Sequence, residues 1–410
     1  MPVRQGRVNV PPMRILLPLL LVLCLTTTAT LVRAQQTDPE AEAFRSDALS
    51  IEGLINSQYA YLDHLPGGVA PTSSLLRAEA EAVTDRRSLL RYAERAIATL
   101  ADHHAITGGS FADSWGLVPS YADLWIEREG NAWRITAVRE GSPAASNGVR
   151  AGDELVAVAA VPTGQAVDAF WAGLGLEVSG ARDGYAARVL ATGRRNQTRD
   201  LTIRDAGGVE RRLVLESLYG MAHDRSALTA RQDDGNLVIR FNDSLGDDGT
   251  IAAFDAAMAD AGEGQSIVLD LTDTASGGNT VVARAIMGWF VDVPTGYQIH
   301  NLPSEERETG IPRQWIEQVL PRAGKRHRGP VTVRVGRWTG SMGEGLAIGM
   351  AALGADVSGS PMAGLLGAVY DHRLAHSGLI IKLPGERLSA MDGMPREAFR
   401  PRSVSAPSGP

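Results

Sequence analysis

The spacing of hydrophobic residues changes along the chain and separates regions of different predicted structure. From about residue 40 to residue 105, apolar side chains recur every three or four positions, as in "ALSIEGLINSQYAYL" and "SLLRYAERAIATLADHH". This spacing predicts amphipathic helices, and the intervening "LPGGVAP" has the glycines and prolines of a loop. We therefore expect an N-terminal helical domain over residues 40–115.

Shorter segments follow in residues 116–215. The stretch "WRITAVREGSPAASNGVRAGDELVAVAAV" predicts a strand, a helix capped by Ser142, a Gly-Asp turn and a second strand. Farther on, "RVLATGRRNQTRDLTIRDAGGVERRLVLESL" predicts paired strands around the turn "DAGG". The segment "EGSPAASNGVRAGDELVAV" resembles a PDZ domain, and the resemblance implies a domain that binds a peptide as an added strand.

Residues 233–402 alternate between strand-like and helix-like segments. The strands "GNLVIRFN", "SIVLDL" and "VTVRVGR" are followed by the helices "DGTIAAFDAAMADA", "GNTVVARAIMGWFV" and "GEGLAIGMAALG". This order predicts an α/β domain with a largely parallel sheet, which we assign to residues 216–402 with a disordered tail at 403–410. Ligands of such sheets bind beyond the carboxyl ends of the strands, where two glycine-rich corners lie, "DLTDTASGGN" and "GRWTGSMGEG".

The net charge and the N-terminal segment bear on which ligands the protein binds and where it is located. The 410 residues carry a formal net charge of −7 with both signs mixed, which gives no electrostatic footprint for nucleic acid. A basic start, the apolar run "ILLPLLLVLCL" and the exit "VRA" predict a signal peptide over residues 1–34, cut after Ala34. The run is short for a membrane span, so we expect a periplasmic or secreted protein without stable membrane insertion. Cys24 would leave with the signal, and the mature chain then forms no disulfide or thiolate metal site.

The second corner contains Ser341 between a strand end and a helix start. Its hydroxyl has two uses: it can cap the helix, in a capping box with Glu344, or it can act as a nucleophile. The N–H of Met342 at the helix start would then help to hold an oxyanion. The first corner offers Gly277 and Gly278 as further N–H donors, although a plain turn that ends in an Asn279 cap fits the same residues.

Both corners belong to a longer resemblance. The segments "IVLDLTDTASGGN", "SMGE" and "GSPMAG", in this order, resemble the C-terminal processing (tail-specific) protease family, in its branch closer to the tricorn protease core. The resemblance covers residues 45–402. It implies a crotonase-like β/α protease core with an N-terminal helical domain and an inserted PDZ domain. It also implies a serine peptidase that has Ser341 as its nucleophile and uses no metal or cofactor.

The resemblance also bears on the general base. Many relatives use a Ser-Lys dyad with the lysine just past the last glycine-rich loop, where this chain has Leu365 and Leu366. Its lysines, Lys325 and Lys382, are expected in solvated positions. The tricorn-like branch uses Ser-His-Glu, and the histidine of that pattern is matched by His104 in "LADHHAITGG".

Alternatives remain for each partner of the serine. His104 and its neighbour His103 also fit helix-end residues, and His372 is a second candidate base. For the carboxylate that orients the imidazole, the family's closing segment is matched by Glu397 in "MDGMPREAFRP", with Asp392 as competitor. Glu344 is interpreted as a helix-start carboxylate.

One departure from the family pattern concerns the oxyanion donors. The arginine that usually follows the strand aspartate is Thr272 here, which leaves the second donor open between Gly277 and Gly278.

The sequence thus predicts an exported serine endopeptidase that acts on peptide or protein substrates captured by its PDZ domain. A catalytically inactive, PDZ-containing peptide-binding scaffold is the alternative. A hydrolase of small esters or lipids with the same core is a third hypothesis. Labelling of Ser341 by a fluorophosphonate separates the first from the second, because only an activated serine reacts.

Overall fold

The computed structural model describes residues 38–177, 180–221 and 225–403. The predicted signal peptide over residues 1–34 and residues 404–410 of the predicted tail lie outside this part of the chain. No helix in the described ranges combines the length and the apolar character that crossing a membrane requires.

The N-terminal region is helical, as its periodicity predicts. Its elements are α1 (Pro39–Gln58), α2 (Ser74–Glu81), α3 (Arg86–Ala98) and β1 (Ile106–Thr107). Helix α3 begins at a capping box in which Asp85 accepts a hydrogen bond from the Ser88 N–H at 2.7 Å. It buries Leu89 and Ile97, and α1 buries Ile51 and Ile55 in the same core cluster. The short β1 pairs with a strand from the end of the chain, which brings the region after α3 to the C-terminal sheet.

Residues 124–215 form a six-stranded antiparallel sheet with three helices. The elements are β2 (Leu124–Glu129), β3 (Ala132–Val138), α4 (Pro143–Ser146), β4 (Glu154–Val158), β5 (Val161–Pro162), α5 (Thr163–Gly173), α6 (Gly180–Thr192), β6 (Arg199–Arg204) and β7 (Glu210–Leu215). The strand order is β2-β3-β4-β6-β7, with β5 on β4. The prediction of paired strands was wrong for "RVLAT", which ends α6. That helix buries Ala186, Ala187 and Ala191, and alanine favours a helix over a strand.

The predicted parallel sheet is present. Its strands are β8 (Leu228–Asp233), β9 (Asn236–Phe241), β10 (Ile267–Asp270), β13 (Val331–Val335) and β14 (Asp356–Gly359), and its helices are α7 (Gly249–Ala259), α8 (Thr280–Met287) and α10 (Met342–Ala352). The order is β14-β13-β10-β9-β8; only β8 is antiparallel to its neighbour. Ile239, Leu269 and Val333 are fully buried at its centre.

The same region contributes four strands to a second sheet, which also includes β1. The sequence analysis did not predict most of this sheet. It contains β11 (Thr295–Asn301), β12 (Gln314–Val319), β15 (Ala368–Arg373) and β16 (Ile380–Ser389), in the order β1-β16-β11-β12 with β15 on β16, and α9 (Pro303–Thr309) connects β11 to β12. Strand β12 alternates exposed and partly buried residues. The described residues from Pro39 onward belong to one compact unit. The division into domains at residues 115 and 215 stays a prediction.

Candidate active site

The two glycine-rich corners meet at the carboxyl ends of β10 and β13. The Thr274 N–H donates to the Trp338 carbonyl at 2.9 Å, and the Gly340 N–H donates to the Thr274 carbonyl at 3.2 Å. The Thr339 hydroxyl also donates to the Leu271 carbonyl at 2.8 Å. These bonds fix the corner after β13 against the corner after β10, one residue before Ser341.

Ser341 has a strained backbone. Its φ of 49° and ψ of −113° lie in a region that residues other than glycine rarely occupy. Such strain costs on the order of 1–3 kcal/mol and is concentrated at functional sites. A serine on a sharp turn between a strand and a helix has its hydroxyl exposed for attack. The backbone therefore supports a nucleophile at this position.

His104 contacts this hydroxyl. The imidazole Nε2 lies 2.9 Å from Ser341 Oγ, although the two residues are 237 positions apart in the chain. The other ring nitrogen, Nδ1, lies 2.6 Å from the carbonyl oxygen of Leu366. Because a carbonyl only accepts hydrogen bonds, Nδ1 carries the proton in this pair. Nε2 is then left as the acceptor for the serine O–H.

The surroundings keep the imidazole of His104 neutral. Burial of the ring and the positive charge of Arg396 lower its pKa to about 4. The hydrogen bond to the Leu366 carbonyl acts in the opposite direction but does not cancel these effects. At neutral pH the ring is therefore unprotonated at Nε2, as a general base must be.

A buried carboxylate holds the backbone of His104. Asp102 accepts the His104 N–H at 2.8 Å and the Tyr59 hydroxyl at 3.0 Å. Burial raises the pKa of Asp102 to about 6, although both hydrogen bonds act against the increase. Asp102 thus links the segment after α3 to the end of α1. The sequence analysis gave neither Asp102 nor Tyr59 a role.

The glycines of the first corner differ in what their N–H groups do. The Gly277 N–H donates to the Thr274 carbonyl at 3.1 Å. Within the described ranges, no hydrogen bond from the Gly278 N–H is found. A β-carbon on Gly278 would collide with the Leu245 backbone, which explains why glycine stands there. Met342, the first residue of α10, has no intrahelical partner for its N–H.

Glu344 is fully buried next to Ser341. Its carboxylate accepts the Ser341 N–H at 2.9 Å, which is one half of the predicted capping box. It also accepts the N–H groups of Gly364 and Leu365 at 2.9 Å and 3.2 Å. Burial raises its pKa to about 7, and the nearby Arg396 acts against this increase. Glu344 is thus a buried link between two loops, a role beyond that of a helix-start carboxylate.

The predicted contact between Glu397 and His104 is not formed. Both ring nitrogens of His104 are engaged, one by Ser341 and the other by Leu366. Glu397 lies in a helical turn, Arg396–Ala398, and its Oε2 is buried without a hydrogen-bond partner within the described ranges. Its competitor Asp392 accepts the Met394 N–H at 2.9 Å, as expected for the "DG" turn.

Neither of the other candidate bases is hydrogen-bonded to Ser341. His103 stacks on Tyr185, with ring centroids 4.4 Å apart, and receives a hydrogen bond from Arg188 Nε at 3.0 Å. His372 lies on β15, opposite Ile381 of β16, and its Nε2 is buried without a hydrogen-bond partner in the described part of the chain.

The two lysines form ion pairs, as expected for solvated positions. Lys325 lies 3.6 Å from Asp255, and Lys382 lies 2.6 Å from Asp371. In residues 38–177, 180–221 and 225–403, no group of three or more His, Cys, Asp or Glu side chains is arranged to hold a metal ion.

Arg396 is the functional candidate that sequence reasoning missed. Its side chain is 3 % exposed, and its Nη2 donates to the carbonyls of Leu365 and Gly367 at 2.8 Å and 2.7 Å. In the sequence, only its position next to Glu397 points to Arg396. A single arginine in an irregular segment is usually solvated, so its residue type gives no indication of a role. The Leu366 carbonyl has no sequence signal at all, because every residue carries one.

Comparison with known proteins shows a likeness in structure. No protein-family model matches the chain, and no curated protein matches it in sequence. The structure of mature CPAF complexed with lactacystin is 13 % identical, with a TM-score of 0.56 over 89 % of this chain and 94 % of that one. The photosystem II D1 C-terminal processing protease is 14 % identical, with a TM-score of 0.54 over 88 % and 93 %. At this identity the likeness establishes a shared mixed α/β fold over nearly the whole length of both chains.

Proposed function

We propose that this chain is a serine endopeptidase that hydrolyses peptide bonds in protein substrates. One observation carries the proposal: the hydroxyl of a strained Ser341 lies 2.9 Å from the imidazole of His104, whose surroundings keep it neutral. A nucleophile and a base within hydrogen-bond distance, with the base held by a third group, are the parts that covalent hydrolysis requires. The fold shared with a C-terminal processing protease favours a peptide as the substrate.

In the first half of the reaction, Ser341 Oγ attacks the scissile carbonyl carbon and its proton passes to His104 Nε2. The resulting imidazolium then gives this proton to the leaving amine as the C–N bond breaks, which leaves an acyl-enzyme. In the second half, water attacks the ester and loses a proton to Nε2, and Ser341 leaves with that proton. The Leu366 carbonyl keeps the Nδ1 proton in place throughout.

The oxyanion is held by backbone N–H groups of both corners. The Met342 N–H at the start of α10 is one donor, and the positive end of the helix dipole lies at the same place. Of the two glycines, Gly278 is the better second donor, because the Gly277 N–H already bonds to Thr274. Gly277 contributes through its small size, since a β-carbon at this position would lie 2.5 Å from the β-carbon of Ser341.

The third position of the triad is predicted for Glu397. In this structure the Leu366 carbonyl occupies that position. A role for Glu397 therefore remains a prediction. Its negative charge acts on Asp102, the neighbour of the His104 backbone, by raising the pKa of that carboxyl group.

We further propose that residues 116–215 act as a PDZ domain inserted before a crotonase-like core over residues 216–402. Strand β2 is an edge of the six-stranded sheet, and a peptide could add to it. Arg188 of α6 donates to the Ile126 carbonyl on this edge at 3.1 Å, so an added peptide would displace that bond. The predicted signal peptide supports export to the periplasm or the medium.

The test is covalent labelling of the folded protein with a fluorophosphonate, followed by mass spectrometry of the labelled peptide. We expect the label on Ser341 and none on a Ser341→Ala variant, which should also have lost hydrolysis of unfolded protein substrates. Ser276→Ala is the matched control, because the Ser276 hydroxyl lies in the first corner but is bonded to Asp243 at 2.7 Å. A folded protein that takes no label would leave the peptide-binding scaffold as the function. Label with hydrolysis of esters but not of peptides would favour a hydrolase of small molecules.

A further inference from the structure

We infer that Arg396 is a positioning residue for the proposed reaction: it fixes the Leu366 carbonyl, which in turn fixes the imidazole of His104. This inference rests on the proposed function only for its kinetic consequence. The contacts that carry it are formed within this chain.

Arg396 holds the loop that contacts the base on both sides of the contact point. One nitrogen, Nη2, donates to the carbonyl of Leu365 at 2.8 Å and to that of Gly367 at 2.7 Å. Leu366 lies between these residues, and its carbonyl accepts from His104 Nδ1 at 2.6 Å. With its neighbours anchored, the Leu366 peptide cannot rotate without breaking at least one of three hydrogen bonds.

The same loop is held by Glu344 from its amide side. The Glu344 carboxylate accepts the N–H groups of Gly364 and Leu365 as well as that of Ser341. A buried carboxyl group thus holds the amides of the loop, and a buried guanidinium holds its carbonyls. The loop over residues 364–367 therefore connects the backbone of the nucleophile to the ring of the base.

The chemistry of Arg396 suits positioning better than ion pairing. Among the described residues, no carboxylate forms a hydrogen bond or ion pair with it, and its Nε has no partner. Burying a guanidinium without a paired carboxylate costs free energy that a neutral residue would avoid. In return, Arg396 donates two hydrogen bonds to the carbonyls of one loop. The positive charge also disfavours protonation of His104, which keeps Nε2 available.

A polar cavity of about 230 Å³ adjoins Arg396 and gives the inference an additional test. Glu344, Glu397 and Arg400 also line it. If Arg396 is shortened to alanine, this space extends to the position of the lost guanidinium. A free guanidinium ion then has room to bind and to restore the two hydrogen bonds.

The first experiment needs no substrate. In proton NMR of the natural chain, the His104 Nδ1–H should give a downfield resonance, assigned by its loss in His104→Gln. We expect Arg396→Met to remove or displace it while the methyl spectrum stays that of a folded protein. Arg396→Gln is the second neutral variant should the Met variant not fold, and Arg400→Met, on an exposed arginine nearby, is the matched control. An unchanged resonance in a folded neutral variant would overturn the inference.

The second experiment is kinetic. We expect Arg396→Met to lower kcat about 100-fold with KM within about twofold, because a misplaced base affects the chemical step more than binding. Arg396→Lys, which keeps a cationic donor, should recover most of kcat, and millimolar guanidinium should raise kcat of Arg396→Ala but not of Ser341→Ala. Equal losses in kcat and binding with no recovery would indicate a merely structural role. If the natural chain hydrolyses nothing, the proposed function fails, and the resonance alone decides the role of Arg396.

Discussion

A β-carbon added to Gly277 would lie 2.5 Å from the β-carbon of Ser341 and 3.0 Å from its hydroxyl oxygen. Real β-carbons are not found at such distances from a neighbouring atom, so one of the two corners would have to move. The backbone nitrogen of Met342 is 3.2 Å from the same point. The first corner therefore lies against both the proposed nucleophile and the first donor of the proposed oxyanion site.

Gly277→Ala should reduce hydrolysis by at least about 100-fold, the loss expected when a reacting group moves by about 1 Å. The substitution also places a side chain at φ 70°, which costs roughly 1–2 kcal/mol by itself. Gly264→Ala separates the two effects, because Gly264 has φ 67° but open space around its would-be β-carbon. Steady-state kinetics and thermal unfolding of both variants provide the measurement. Equal activity in the two variants would mean that Gly277 has only a conformational role.

His104→Gln should lower kcat/KM by about 10²–10⁴-fold, the usual contribution of a general base. Glutamine cannot accept the serine proton, whereas Ser341 and the oxyanion donors remain. Fluorophosphonate labelling of Ser341 should slow to a similar extent. His372→Gln is the matched control, since His372 lies on β15 and is not bonded to Ser341. A comparable loss in that variant would transfer the role of base to His372.

The acidic limb of the pH–rate profile should have its midpoint near pH 4. Burial and the charge of Arg396 lower the pKa of His104 to about that value, so the neutral base persists well below pH 6.5. The profile of kcat/KM reports ionisation in the free enzyme. A titration of the His104 ring by NMR in the natural chain checks the assignment. A midpoint at the ordinary value of 6.5 in both measurements would contradict the structure.

The parts of this fold that depend on regular spacing could be predicted from the sequence. Strands β9 and β10 are largely buried and apolar, β13 alternates between apolar and polar residues, and each was placed because a helical period follows it. Ser341 was identified because the strand pattern changes to a helical pattern at this position, with glycines on either side. His104, in contrast, was selected through a family resemblance, because nothing in "LADHHAITGG" indicates that this segment reaches a corner 237 residues away.

What could not be predicted depends on tertiary contacts alone. In strands β11 and β12 polar and apolar residue types do not alternate along the sequence, and the polar Gln298 and His300 are buried. The role of the Leu366 carbonyl follows from the position of a loop, which no residue type encodes. For Glu397, sequence reasoning predicted a contact with His104 that the backbone oxygen of Leu366 makes in this structure.

Glu397→Gln should reduce hydrolysis less than tenfold. The Leu366 carbonyl already holds His104 Nδ1 at 2.6 Å, so the loss of one nearby charge changes the field at the ring without releasing it. An orienting carboxylate would be worth about 10⁴-fold in kcat. Asp392→Asn, in the adjacent turn, is the control. A loss above 100-fold for Glu397→Gln alone would mean that Glu397 replaces the carbonyl once substrate is bound.

Because of Glu344, the free energy of unfolding should fall as the pH rises from 4.5 to 7. Burial raises its pKa from 4.5 to about 7 in the folded chain. When the pKa of a carboxyl group is higher in the folded chain than in the unfolded chain, the group stabilises the fold at any pH below its unfolded pKa. This contribution is lost as the pH rises through its folded pKa. Between pH 4.5 and 7 the natural chain should therefore lose up to roughly 3 kcal/mol relative to a Glu344→Gln variant.

The measurement is the free energy of unfolding by urea at several pH values, compared between the two proteins. Glutamine has one acceptor oxygen where the carboxylate has two, so Glu344→Gln also loses part of its bonding to Ser341, Gly364 and Leu365. The bonding that glutamine lacks relative to the protonated carboxyl group is the same at every pH and shifts the curve without changing its slope. Glu308→Gln, on an exposed glutamate of α9, is the matched control. If the difference between the natural chain and Glu344→Gln stays constant from pH 4.5 to 7, burial does not raise the pKa of Glu344 in the folded chain.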